Sequence, residues 1–180
     1  MSRRTLPWLS AALFLLIANP AHAAAEAFLC ITDPGYPGET TAAGFSGCSD
    51  LVDFAEAAFL DGNTPIARDI KLDKVYDSMS GPLRTAMINL TTLNEVKIRL
   101  AKITTSPMEF FDIRLLGARV DSQSVSWSAG NAGPVTETIG FSAANIEIKY
   151  RPSNSAGVLG TPIFTCWNVA AGTATNNACP

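Results

Sequence analysis

Asp50, Asp53 and Glu56 are the acidic groups whose spacing best suggests chemistry, because two facing carboxylates can share general acid–base work. Their three-residue spacing would align them on a helix. On a strand it puts Asp50 and Glu56 on one face and Asp53 on the other. A glycosidase needs two carboxyls roughly 5–9 Å apart across a cleft, so these acids fit better as the solvating groups of a strand and its entry loop. Ser124, Ser126 and Ser128 sit at strand spacing around Trp127 with no lysine nearby in sequence, which describes a wet strand face and not a Ser/Lys dyad. Asp61-Gly62-Asn63-Thr64 resembles the start of a calcium loop, but Pro65 and Arg68 occupy later ligand positions. Asn89-Leu90-Thr91 matches a glycosylation sequon only formally. No catalytic residue, metal site or cofactor is expected.

The single histidine, His22, lies in a segment expected to be removed. Arg3-Arg4 precede the apolar run Leu9–Ile17, and Asn19-Pro20 lead to Ala21-His22-Ala23. A basic head, an apolar stretch too short to span a bilayer and a small-x-small exit make a secretory signal peptide over residues 1–23, with Ala25 as a fallback cleavage site. Pro7 and the strongly apolar core favour the ordinary unfolded-export route over twin-arginine export. Residues 24–180 then form one domain without imidazole, which rules out Ser-His-Asp, Cys-His and His-based metal sites. Losing Arg3 and Arg4 moves the net charge from -3 to about -5, and the remaining basic residues are scattered. Nucleic acid is therefore excluded as a partner, and no stable membrane insertion follows cleavage. The expected address is the periplasm or the exterior of a bacterium.

Cys30, Cys48, Cys166 and Cys179 all survive cleavage. An even count in an oxidising compartment reads as two disulfides, and no Cys-x-x-Cys spacing supports a redox or zinc motif. Local pairing, Cys30–Cys48 with Cys166–Cys179, closes two short loops. Cys30 with Cys166 would instead clasp the ends of the domain.

Period-two alternation dominates from Ala27 onward. Val96, Ile98 and Leu100 alternate with Glu95, Lys97 and Arg99; Phe111, Ile113 and Leu115 with Asp112 and Arg114; Ile146, Ile148 and Tyr150 with Glu147 and Lys149. These are strands with one buried and one wet face. Further strands are predicted at Phe28–Thr32, Leu51–Phe54, Ala118–Val120 and Val125–Trp127, with a turn over Gly130–Pro134. Leu83, Ala86, Met87 and Leu90 keep helical spacing, which predicts one helix from Pro82 to Thr92 capped by Ser80 or Gly81. The expected fold is mainly β, an antiparallel barrel or sandwich with one flanking helix. Trp127, Trp167, Tyr36 and Phe45 could form an aromatic ligand surface, though core packing better explains both tryptophans and turn anchoring explains Tyr36. The polar tail from Ala170 to Pro180 is pinned by Cys179.

The order of these elements resembles the Hcp family, the tube protein of type VI secretion. Ala27–Ile31 followed by Pro37-Gly38-Glu39-Thr40-Thr41 is similar to the family's first strand and PGES-like loop. Ile70–Lys74 with Ser80-Gly81-Pro82-Leu83 resembles its approach to the helix, and Val96-Lys97-Ile98 the strand beyond. Thr136–Phe141 with Ile146–Tyr150 is close to its TE…I-x-x-x-Y signature, and Cys166–Val169 resembles its last strand. The resemblance implies an Hcp-like β-barrel that assembles into six-membered rings, which stack into a hollow tube able to hold effectors. It implies a ring-stacking loop within Gly35 to Gly47, including Gly35, Tyr36, Gly38, Glu39 and Thr40, and a subunit interface at Asp53, Phe54 and Glu56.

Two features depart from that pattern. Tube subunits of the family carry neither an export signal nor disulfides, and Asp53 and Glu56 stand where Trp and Ser are usual. The function expected is an exported Hcp-like assembly protein acting without catalysis. Its expected partners are copies of itself and a secreted effector or other type VI component. A secreted lectin- or adhesin-like binding module is the alternative, and a carboxylate-dependent hydrolase ranks third.

Overall fold

Alternating side chains resolve into strands in the computed structural model, which describes residues 25–61, 64–67, 70–103, 107–128 and 133–180. The leader expected over 1–23 lies outside the described residues with His22, as do Gly62, Asn63, Arg68 and residues 130–132 of the expected turn. In chain order the elements are β1 (Ala25–Asp33), β2 (Ser49–Ala55), β3 (Ala58–Asp61), β4 (Thr64–Ala67), β5 (Ile70–Val75), α1 (Ser80–Ile88), β6 (Leu93–Lys102), β7 (Met108–Ser126), β8 (Thr136–Ser142), β9 (Asn145–Tyr150), β10 (Ile163–Asn168) and β11 (Thr173–Thr175).

Six antiparallel strands close a barrel in the order β7-β6-β1-β2-β5-β8, with β8 returning to β7. Closure removes the free edges that an open sheet would expose. Three runs that read as separate strands in the sequence are one strand of 19 residues, β7. On the edge away from β6, residues 111–116 pair with β9 and residues 119–126 with β8. Gly117 sits at that branch with φ +59, and a Cβ there would come within 3.3 Å of the Ala144 side chain. Glycine alone adopts this backbone without a steric penalty. The branch sends β9, β10 and β11 outward as a wing continuing one wall of the barrel.

Leu29, Ile31, Ile70, Leu72, Val96, Ile98, Ile113, Leu115, Ile139 and Phe141 fill the interior, and Met79, Leu83 and Ala86 close it from the helix. Full burial of each large apolar side chain stabilises the fold by about 1.5–3 kcal/mol. A second, smaller core lies outside the barrel wall: Phe28, Cys30, Phe45, Cys48 and Ala101. Residues Phe28 to Ile31 are therefore buried on both faces, and the segment between β1 and β2 is packed against the barrel.

The helix starts at Ser80 and stops at Ile88, two residues before and four residues short of the expected Pro82–Thr92. It ends because Leu90 adopts φ 52, while Thr91 N–H bonds the Ala86 carbonyl at 2.9 Å and Leu90 N–H that of Met87 at 3.2 Å. This is a Schellman closure with leucine where glycine is usual. Neither Ser80 nor Gly81 caps the start. Met79 is the N-cap residue, its N–H is held by Asp77 Oδ1 at 3.0 Å, and the Ser80 hydroxyl is used elsewhere.

Candidate functional site

The first region that sequence singled out is the segment from Gly35 to Gly47. Its chain doubles back on itself: Gly38 N–H bonds the Gly47 carbonyl and Thr40 N–H that of Cys48, both at 2.9 Å. Gly38 lies so close to Cys48 that a Cβ would come within 2.5 Å of that residue's backbone and closer still to Ser49 Oγ. Phe45 is buried and stacks on Phe28 with 4.1 Å between ring centroids, and the Arg99 guanidinium lies 4.6 Å over the Phe45 ring. The Cys30–Cys48 disulfide spans 4.4 Å between Cα atoms in this small core. Glu39 accepts the Ser78 N–H at 3.0 Å, and Ser78 Oγ donates to the Pro37 carbonyl at 2.9 Å. Thr40 Oγ1 donates to Asp50 at 2.5 Å. The candidate stacking residues Glu39 and Thr40 are thus tied to the helix approach and to β2, while Gly35 is exposed and Tyr36 packs against the main core.

The candidate interface on β2 divides. A register shift between Leu51 and Asp53 breaks the simple alternation. Asp53 is exposed and accepts the Phe54 N–H at 2.8 Å. Phe54 turns inward and stacks against Phe111 at 6.5 Å between centroids, so its own barrel occupies it. Glu56 is half-buried, and burial raises its carboxyl above the usual range. Ser124, Ser126 and Ser128 are exposed.

Sequence reasoning missed the polar plug at the helix end of the barrel. Lys74 Nζ, fully buried, donates to Glu137 Oε1 at 2.9 Å, to Asp77 Oδ1 and the Val75 carbonyl at 2.7 Å, and lies 3.1 Å from Ser80 Oγ. Ser80 Oγ donates to Glu137 Oε1 at 2.5 Å, and Gln123 Nε2 donates to Glu137 Oε2 at 2.6 Å. Ser49 Oγ donates to Asp77 Oδ2 at 2.5 Å. Lys74 and Ser80 sit together like a nucleophile and base, but the chemistry differs. An amine ringed by carboxylates and a carbonyl is an ammonium donor, and the serine proton is already given to Glu137. The signal in the sequence is phase: Lys74 falls in step with Ile70 and Leu72, and Glu137 with Ile139 and Phe141.

Opposite this end, the outer faces of β6, β7 and β9 carry a ladder of charge. Glu109 receives Arg99 at 2.5 Å and Lys149 at 2.6 Å; Lys149 also reaches Asp112 at 3.2 Å. Arg114 bridges Glu95 and Glu147, each at 2.8 Å. Burial pushes Glu109 up, but hydrogen bonds from Lys149 and Arg99 outweigh it and hold its carboxyl below the usual range. Burial wins at Asp112, whose carboxyl is raised despite Lys149, with the Glu109 charge adding to the rise. Its Oδ1 is buried with no hydrogen-bond partner among the described residues.

The aromatic ligand surface does not form. Phe45 is buried, Tyr36 and Trp167 pack against the main core, and only Trp127 stands free, at 63% exposure. Core packing therefore fails for Trp127, because β7 runs past the end of the barrel. Val125 pairs with Glu137, Trp127 follows it, and Val135 and Tyr76 are joined by a backbone bond of 2.9 Å. These four exposed apolar residues gather at the projecting end of β5, β7 and β8.

A family model described as type VI secretion system effector, Hcp, matches residues 29–150. The chain belongs to the Hcp family. The match takes in the barrel, α1, β9 and the Cys30–Cys48 bond, while β10, β11 and the Cys166–Cys179 bond lie beyond it. Among solved structures, one titled as a type six secretion system protein is similar at TM-score 0.76 and 18% identity, over 84% of this chain and 100% of that one. Hcp1 from Salmonella typhimurium is similar at TM-score 0.70 and 16% identity, over 84% and 99%. A type VI secretion system effector from Yersinia pestis follows at TM-score 0.66 and 18% identity, over 79% and 99%. At these identities the likeness carries the Hcp fold alone. No curated protein matches the sequence.

Proposed function

We propose that this chain is an exported, non-catalytic assembly subunit of the type VI tube kind. Residues 1–23 serve as a signal peptide removed after Ala23, and residues 24–180 are the working domain, placed in the periplasm or outside the cell. The subunit associates with copies of itself into six-membered rings and meets a secreted effector or another type VI component. The observation that carries this reading is the closed barrel matched by the Hcp family model along residues 29–150. The exposed apolar group Tyr76, Val125, Trp127 and Val135 supports it, since such clusters mark contact surfaces. Asp53 and Glu56 remain in this proposal as rim groups of a subunit contact.

Native mass spectrometry of the oxidised, exported protein at tens of micromolar tests the reading, alongside negative-stain microscopy. Hexameric rings are the expected result, with an N-terminus at Ala24. A clean monomer would sink the ring, and an intact leader on the exported protein would sink the proposed processing.

A further inference from the structure

We propose that residues 170–180 form a redox latch, closed over the free edge of β10 and over Glu147 when Cys166 and Cys179 are joined and open when they are thiols. One edge of β10 pairs with β9 along its whole length. β11 covers the other edge only at Cys166, Trp167 and Asn168, which pair with Thr175, Ala174 and Thr173. Val169 is the last residue anchored in the body of the protein: it packs against the main core, and its N–H bonds the Ala144 carbonyl at 3.0 Å. Beyond it, only Gly172 and Cys179 are even half-buried. The turn between is built locally, with Ala171 N–H on Asn168 Oδ1 at 2.8 Å and Gly172 at φ +62. It can therefore hinge without disturbing β10.

After β11 the chain crosses the outer face of the wing. Cys179 N–H donates to Glu147 Oε2 at 2.6 Å, while Glu147 Oε1 holds Arg114 at 2.8 Å. Glu147 is 1% exposed and lies opposite Cys166 in the strand register. A strap with so little buried surface gains too few net hydrogen bonds to offset the entropy of ordering its chain. The disulfide, closing a separation of 13 residues, holds it by removing the open states. Opening follows thiol–disulfide exchange: a dithiol reductant gives two electrons, the S–S bond becomes two thiols, and the reductant leaves as its own disulfide. The latch is then closed in oxidising compartments and open in reducing ones. When closed it blunts an edge strand that would otherwise offer unpaired backbone groups to another chain.

The test compares oxidised wild type with Cys166→Ser/Cys179→Ser, which keeps the Cys30–Cys48 bond. Peptide-resolved hydrogen exchange should be at least tenfold faster over residues 166–168 and 173–175 in the variant, with β1 to β8 unchanged. Glu147 should become reactive to carbodiimide coupling with a small amine. Dithiothreitol added to folded wild type should give the same pattern, which guards against a variant that does not fold; Cys30 and Cys48 are both buried, whereas Cys179 is half-exposed. Wild-type protection persisting without the disulfide would overturn the latch. Loss of protection across the barrel would do so equally, by making the bond a global staple.

Discussion

Lys74 and Glu137 face each other across β5 and β8, 2.9 Å apart between Nζ and Oε1, with neither side chain exposed. A buried pair of this kind is a weak source of net stability, but removing one member strands the other charge. Lys74→Met should therefore cost about 3–5 kcal/mol. Lys74→Met/Glu137→Leu should recover about half of that loss, because Gln123 and Ser80 still lose their acceptor. Urea unfolding of the three proteins measures both, and a double variant no better than the single would show that the pair is not the unit that matters.

Gly38→Ala should destabilise by about 1–3 kcal/mol through overpacking, since the new methyl meets backbone that cannot move aside. Gly81→Ala, where a Cβ meets open space, should be neutral or stabilising by about 0.4–1 kcal/mol. Thermal melts of both variants distinguish the collision from a generic glycine effect.

Acidification should act in two stages. Asp112 has its carboxyl raised by burial, so the folded state holds a proton that the unfolded state releases. Its contribution to stability is lost as pH rises through the raised value and regained on mild acidification above about 4. Lys149, Glu109 and Arg99 face Asp112 from β9, β7 and β6. Glu109 and Glu95 are held below the usual range, Glu95 by hydrogen bonds from Lys97 and Arg114 that outweigh its burial. Their stability is present at neutral pH and lost as pH falls through those lowered values. Melting temperature against pH should rise slightly and then fall, and Asp112→Asn should shrink the rise to the part that the raised carboxyl of Glu56 supplies while leaving the fall.

Trp127→Glu should leave the melting temperature within about 2–4 °C of wild type, as expected for a change of at most about 1 kcal/mol at an exposed position. It should reduce the hexamer population at least tenfold in native mass spectra. Unchanged assembly would remove the β7–β8 end from the subunit contact.

How legible each part was depended on what alternation encodes. It gives the face of a strand, so Val96, Ile98, Ile113 and Leu115 were placed inside from the sequence alone. It does not give the length of the barrel, which is why Trp127, in phase with Val125 on one strand face, emerges into solvent. Nor does it show that a strand continues through a bend, so β7 reads as three pieces, broken at Gly117 and again at the register shift between Val120 and Ser122. Lys74 and Glu137 escape a reading by charge, although their phase with Ile70, Leu72, Ile139 and Phe141 points inward. The unbroken apolar run Phe28-Leu29-Cys30-Ile31 could have revealed a second core, since one wet face would have interrupted it.

The seam between β5 and β8 also has a consequence in time. Lys74 and Glu137 are 63 residues apart in sequence, and α1, β6 and β7 must all be made between them. Loop-closure entropy is lost before such distant contacts can compensate, so hairpins such as β6–β7 should form before this seam and before the equally distant β1–β6 pairing. Until the seam closes, both charges remain hydrated. Closing the β5–β8 seam therefore carries the cost of dehydrating the Lys74–Glu137 pair in addition to that of closing the chain between them.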